Sequence, residues 1–310
     1  MSDPAFLTSL LAAALQAGTP ILFACLGEIL AERSGVLNLG VEGMMLVGAM
    51  VGFAVSLSTG SPLLGVVAAG LAGAGMALIH AFLTVSLLAN QVVSGLGLTM
   101  FGLGVSGFFG MELVGKKAPG FGPIPLPLLS KIPVLGPIFF NQDLLVYLGM
   151  LLVPACWYYL YRTRPGLVMR ACGENPSAAD AWGESVAATR YLHVLLGGVL
   201  AGIGGAYLSL GYTHMWVENM VAGRGWIALA LVIFGFWHPL KAAAGAMLFG
   251  GVGVAQLRLQ AAGTLLPSAL LNVLPYLLTV VILVVITLRQ RRTGRVEAPA
   301  ALGRPFRRGE

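Results

Sequence analysis

The sequence predicts an all-α, polytopic integral membrane protein with about nine (8–10) transmembrane helices and a short helix in an inner loop. Three observations carry that reading. Only 10% of the 310 residues are charged while 57% are hydrophobic, against about 25% charged in a soluble domain. Mean hydropathy is +0.88. From Gly43 to Met111 there are 69 consecutive positions without Asp, Glu, Lys or Arg, room for about three spans of roughly 20 residues each. The chain lacks the polar surface of a soluble enzyme, and open strands cannot face lipid because their backbone groups would go unpartnered.

Apolar runs bounded by charge or by Gly/Pro turns fall at 6–27, 39–57, 62–89, 91–112, 142–161, 190–211, 226–238, 240–258 and 267–288. The first lacks a basic leader and a cleavage site, so it reads as a retained span. The seventh is short and stopped by Pro239, and short interrupted segments mark transport pathways. Residues 1–289 therefore form the membrane domain, and 290–310 form a basic tail expected to be disordered.

Orientation follows the basic residues. With the carboxyl tail inside, nine spans put the amino terminus outside. Inner segments then carry 13 basic residues (Arg33, Arg162, Arg164, Arg170, Arg190, Lys241 and seven tail arginines) and outer segments five (Lys116, Lys117, Lys131, Arg224 and Arg258). The net charge of +6 thus reads as a cytoplasmic anchor. No nucleic-acid motif accompanies it, so no nucleic-acid partner is expected.

Two loops are long. The outer one, 113–141, holds six prolines, which forbid a continuous helix; an ordered cap or docking surface and a flexible connector both fit. In the inner loop, 162–189, Arg164-Pro165-Gly166 ends the preceding helix. Asn175 then suits an N-cap and Pro176 the first helical position. Gly183 is placed to end the short helix in a left-handed conformation. Such a helix is either a plain connector or a knob for another protein's groove.

Motifs of soluble chemistry fail on inspection. Gly110 to Lys117 resembles a phosphate loop, but Lys117 stands where Ser or Thr would bind magnesium. Gly102, Gly104 and Gly107 match a dinucleotide fingerprint by letter, yet lie in an apolar run. There they suit close helix packing, as do Gly48/Gly52 and Gly198/Gly202. Cys25, Cys156 and Cys172 form no CxxC pair, the four histidines are scattered, and no catalytic constellation is visible. Neither a metal nor a cofactor site is expected in this chain.

Polar breaks in the apolar sequence are the candidates for a solute pathway: Asn38, Glu42, Asn90, Gln91 and Ser94. A charge at the bilayer centre costs about 2.5–3.5 kcal/mol, so Glu42 should face a water-filled cavity or a partner, or else cap a helix start. Asn219 to Ala230 loosely mirrors the Asn38–Glu42 segment and enters from the opposite side, a trait of transporters with inverted repeats. The scarcity of membrane charges points to a neutral, hydrogen-bonding solute.

At these same residues a resemblance emerges. Glu32-Arg33-Ser34-Gly35-Val36-Leu37-Asn38-Leu39-Gly40-Val41-Glu42-Gly43-Met44-Met45 resembles the signature of ABC-importer permeases of the ribose and branched-chain amino-acid type. Asn90 to Gly95, Gly223 to Ala228 and Gly173-Glu174-Asn175-Pro176 fit the nucleoside or simple-sugar branch, which works with a basic-membrane-protein type binding lipoprotein. The motifs span about residues 28–250.

The resemblance implies a roughly ten-helix permease of the bacterial inner membrane, paired with a second permease. It implies ATPase subunits on the inner face, which would bind ATP and magnesium, and an extracytoplasmic solute-binding protein or lipoprotein. It further implies that 173–185 is the ATPase-coupling helix, with Glu174, Asn175, Pro176, Ala178, Ala179, Asp180, Trp182 and Gly183 as candidate contacts. Relative to ribose-type permeases the chain lacks an extra amino-terminal span, and Ala178-Ala179-Asp180-Ala181 replaces a more usual acidic-alanine pattern. A stand-alone secondary transporter or channel is the alternative. It would need ionisable groups deep in spans, where only Glu42 qualifies, and a membrane enzyme would need a catalyst.

Overall fold

The computed structural model describes residues 4–263, 267, 270–271, 273–293 and 298–308. The amino-terminal and central helices are α1 (Pro4–Arg33), α2 (Val41–Thr59), α3 (Pro62–Ala81) and α4 (Gln91–Gly110). They are followed by the short α5 (Leu135–Phe139), then α6 (Leu144–Arg162), α7 (Arg164–Glu174), α8 (Pro176–Ala181) and α9 (Val186–Tyr207). The last three are α10 (Arg224–Phe234), α11 (Pro239–Ala261) and α12 (Leu274–Thr293).

Each of the nine apolar runs coincides with a helix. Among the described residues, however, seven helices are long and apolar enough to cross a membrane: α1, α2, α3, α4, α6, α9 and α11. The count of nine spans is not confirmed: α10 has 11 residues, about 16 Å of rise, or half the hydrocarbon thickness. Part of the ninth run and part of the tail lie outside the described residues.

Helices α1, α2 and α9 form the buried centre, with α3, α4, α6 and α11 around them. Their backbones approach closely because glycine leaves room. A Cβ on Gly202 would collide with the Ala69 carbonyl, and one on Gly198 with Gly73 and Ala77. Gly48 lies against Gly202, and Gly102 of the fingerprint-like run lies against Gly43. Small residues substitute for a hydrophobic driving force, which lipid does not supply between helices.

The proline-rich segment is an ordered cap at one end of the bundle. A two-residue strand β1 (Ile124–Pro125) pairs antiparallel with β2 (Asn141–Gln142). Among the contacts that pin the cap, three reach α1, α2 and the turn after α9. The Ser56 hydroxyl of α2 donates to the Pro119 carbonyl (2.7 Å), the Phe121 N–H donates to the Leu210 carbonyl (2.9 Å), and Gln16 of α1 donates to Gln142 (2.9 Å). The flexible connector is thereby set aside.

The opposite end carries the α7–α8 hairpin. Asn175 caps α8 by accepting from the Ala178 N–H (3.0 Å), and Gly183 holds φ +84°, as the pattern predicted. Helix α7 was not anticipated. Thr163 caps it, accepting from the Gly166 N–H (3.2 Å), and Pro165 occupies its first turn. Within the tail, residues 298–308 pack on this hairpin, with the Ala301 N–H bonded to the Gly173 carbonyl (2.9 Å).

Replacing Gly202 by leucine is expected to destabilise the protein by about 1–3 kcal/mol or more through overpacking. Gly75→Leu, whose Cβ position meets nothing within 4 Å, leaves stability unchanged. Thermal denaturation in detergent micelles compares the two.

Candidate functional site

The site is built on two breaks in the helical backbone. The first is the loop 34–40 between α1 and α2. Asn38 is fully buried; its side-chain N–H donates to Glu28 of α1 (2.9 Å) and its oxygen accepts from the Gly40 N–H (3.0 Å). Gln91 accepts from the Leu37 N–H (2.7 Å). The His80 ring bridges Ser94 (2.9 Å) and the Leu37 carbonyl (3.0 Å), and Thr99 donates to the Leu39 carbonyl (2.9 Å). Non-helical backbone at membrane depth survives only when protein groups satisfy it, and these side chains do so.

The second break precedes α10. Glu42, in the first turn of α2, reaches across to it. Oε1 accepts from the Gly223 N–H (2.8 Å) and Oε2 from the Gly225 N–H (2.7 Å). Gly223 sits at φ +83°, and a Cβ on Gly225 would press on Glu42 itself. One carboxylate thus lies at the N-termini of two helices, where a negative charge is favoured.

The two helices leave this point in opposite directions. Helix α2 ends at the cap, through Ser56. The turn after α10 reaches the hairpin end, where the Trp237 indole donates to Glu32 and Arg33 donates to the Phe236 carbonyl (3.1 Å). The loosely mirrored segments of the sequence therefore meet head to head.

Of the five pathway candidates, Asn38, Glu42 and Gln91 are buried and spend their polar atoms on this frame. Asn90 is exposed and caps α4, accepting from Val92 and Val93. Ser94 borders an apolar groove with Ile79, Val93 and Phe101.

A cavity of about 410 Å³ opens on the other side of the α10 break, between α1, α10, α11 and the start of α12. Ile21, Tyr212, Arg224, Ile227, Phe249 and Gln256 line it. Arg224 donates to the Met220 and Val221 carbonyls (3.1 and 3.0 Å), fixing the approach to α10. Aromatic faces beside a few hydrogen-bonding groups suit a small polar ligand with flat or ring-shaped apolar surface. Sequence reasoning missed Tyr212 and Gln256; the only sign was a lone amide within an apolar run.

At the hairpin, Ala178 and Trp182 are open to solvent, Trp182 at 90%. Ala179 is buried and Asp180 is half-buried, paired with Arg308 (3.2 Å). Glu174 accepts from the Ala300 N–H (3.2 Å).

A multi-pass helical bundle in which the half-length α10 meets the spanning α2 head to head, with a projecting hairpin, fits a membrane transport component. The chain belongs to the family described as the permease component of branched-chain amino acid transport systems, which matches residues 10–286. It is 41% identical to a putative glucose ABC transporter permease of Haloferax volcanii, across 98% of both chains. It is 36% identical to a guanosine ABC transporter permease of Bacillus subtilis, again across 98% of both. A nucleoside ABC transporter permease of Lactococcus lactis is 36% identical across 92% of both. No solved structure is a significant match.

Glu42→Ala is expected to orphan one buried and one half-buried N–H group, at Gly225 and Gly223, the buried one at about 1–3 kcal/mol, and Glu42→Gln, which keeps one oxygen, to lose less. Detergent melting curves rank the three proteins. A Glu42→Ala variant as stable as the parent would remove the capping role.

Proposed function

We propose that this chain is the membrane-spanning subunit of an ATP-driven importer for a nucleoside or simple sugar. Its hairpin end faces the cytoplasm and its amino terminus lies outside. Full-length similarity to permeases named for guanosine, nucleosides and glucose carries this reading. ATP and magnesium would be bound, and ATP hydrolysed, by a separate ATPase subunit. A second permease, identical or related, would complete the pathway within the lipid. An extracytoplasmic binding protein would deliver solute to the capped end.

The work of the chain is to present two shapes to the solute. ATP acts by binding the two states of the assembly unequally. Helix α8 is the contact through which that bias enters, with the exposed Trp182 as its plug. The 410 Å³ cavity supports a solute site at the α10 start, where Tyr212 and Gln256 would hydrogen-bond hydroxyls and Phe249 would cover a ring face. Of the five polar candidates, Asn38, Glu42 and Gln91 serve this pathway as its frame, while Asn90 and Ser94 lie at the edge of α4.

The test is reconstitution with the ATPase subunit, second permease and binding protein, using guanosine and glucose as probes. Uptake is expected only with the full set and ATP; accumulation by this chain alone would favour the stand-alone transporter. Gln256→Ala should raise the KM for uptake by roughly tenfold, the worth of one hydrogen bond of about 1.4 kcal/mol. Trp182→Ala should weaken ATPase retention on the purified permease while leaving its fold intact.

A further inference from the structure

The carboxy-terminal segment 298–308 runs along one flank of the α7–α8 hairpin. Besides the Ala301–Gly173 and Ala300–Glu174 bonds, the Arg308 Nε donates to Asp180 Oδ2 (3.2 Å). Phe306 packs against a cluster of Cys172, Ala179 and Val186, which draws one residue from each of α7, α8 and α9. The fixed point beneath is Arg190, 2% exposed at the start of α9. Its Nη1 donates to the Arg304 carbonyl (3.2 Å) and its Nε to the Ser34 carbonyl (3.3 Å) in the loop after α1. A single buried guanidinium thus joins the tail to the signature loop of the membrane bundle.

The segment covers one side of α8 and leaves the other open. Ala179 is buried toward it, while Ser177, Ala178, Ala181 and Trp182 remain exposed. A helix of six residues has little stability of its own, so α8 holds its position by what is packed behind it. The exposed Arg308–Asp180 pair contributes little; Phe306 and the backbone bonds supply the hold and the ion pair sets its register.

We propose that residues 298–308 are a strap that fastens the coupling helix to the transmembrane bundle. A push on Trp182 then reaches the Ser34 loop and α1 through Arg190, instead of being lost in bending of the hairpin. The proposal rests on the reading of α8 as the ATPase contact. A strap and a brake differ in what they cover, and this segment leaves Trp182 free.

The test uses the assembled complex in proteoliposomes, with the chain truncated after residue 297 and, as a milder variant, Phe306→Asp. The readouts are guanosine or glucose taken up per ATP hydrolysed, ATPase retention, and hydrogen exchange of the 173–185 amides. The strap predicts retained ATPase, faster exchange in the hairpin, and uptake per ATP lower by about fivefold or more, the lower range of couplings between sites. Unchanged uptake per ATP, loss of the ATPase, or enhanced uptake in both variants would each overturn it, the last by making the segment a brake. Trp182→Ala run alongside separates the two ideas. If it leaves ATPase retention and uptake intact, the reading of α8 fails; if it abolishes them while the tail variants are silent, only the strap fails.

Discussion

The middle of this bundle is organised by the Glu42 carboxylate, held between the N-termini of α2 and α10. A charged group at that depth is costly, and two backbone N–H bonds together with two helix ends offset the cost. The arrangement imposes its own demands. Gly223 must adopt a left-handed conformation, Gly225 must lack a side chain, and α10 must begin where Glu42 can reach it. The half-length of α10 and the cavity beside its start both follow from that meeting point.

Much of the fold was legible because lipid enforces it: every apolar run became a helix, and the Asn175, Pro176 and Gly183 signals placed α8 within a residue. Other features were not legible, for physical reasons. Arg164-Pro165-Gly166 reads as a stop, yet proline equally opens a helix, and with Thr163 as cap it began α7. Asn38, Glu42 and Gln91 announced that they needed partners. The partners of Glu42 lie 181 and 183 residues away, and no local pattern names them. Tyr212, Phe249 and Gln256 become a surface only when separate helices pack side by side. The tail read as a basic, disordered end because its arginines dominate the local pattern, while its holds, the Phe306 packing and the backbone bonds to Gly173 and Glu174, join it to residues more than 100 positions away.

The sequence signature that carries the family resemblance has a structural role. Loop 34–40 replaces a helical turn with irregular backbone, and each of its exposed amides and carbonyls needs a partner that water cannot provide. His80, Gln91 and Thr99 answer from α3 and α4, with Ser94 bonded to the His80 ring, while Arg190 answers from α9. Asn38 and Gln91, two of the pathway candidates, thereby hold a weak stretch of backbone in one shape, next to the start of α10.

The proline-rich cap is tied to Gln16, Ser56 and Leu210, one anchor each on α1, α2 and the turn that continues α9. Those three helices form the trunk of the bundle, and α4 has no comparable tie among the described contacts. Helix α6 is tied to the same plate, its Tyr147 hydroxyl donating to the Ile124 carbonyl (2.9 Å), so a protein that settled there would load the trunk and α6 together.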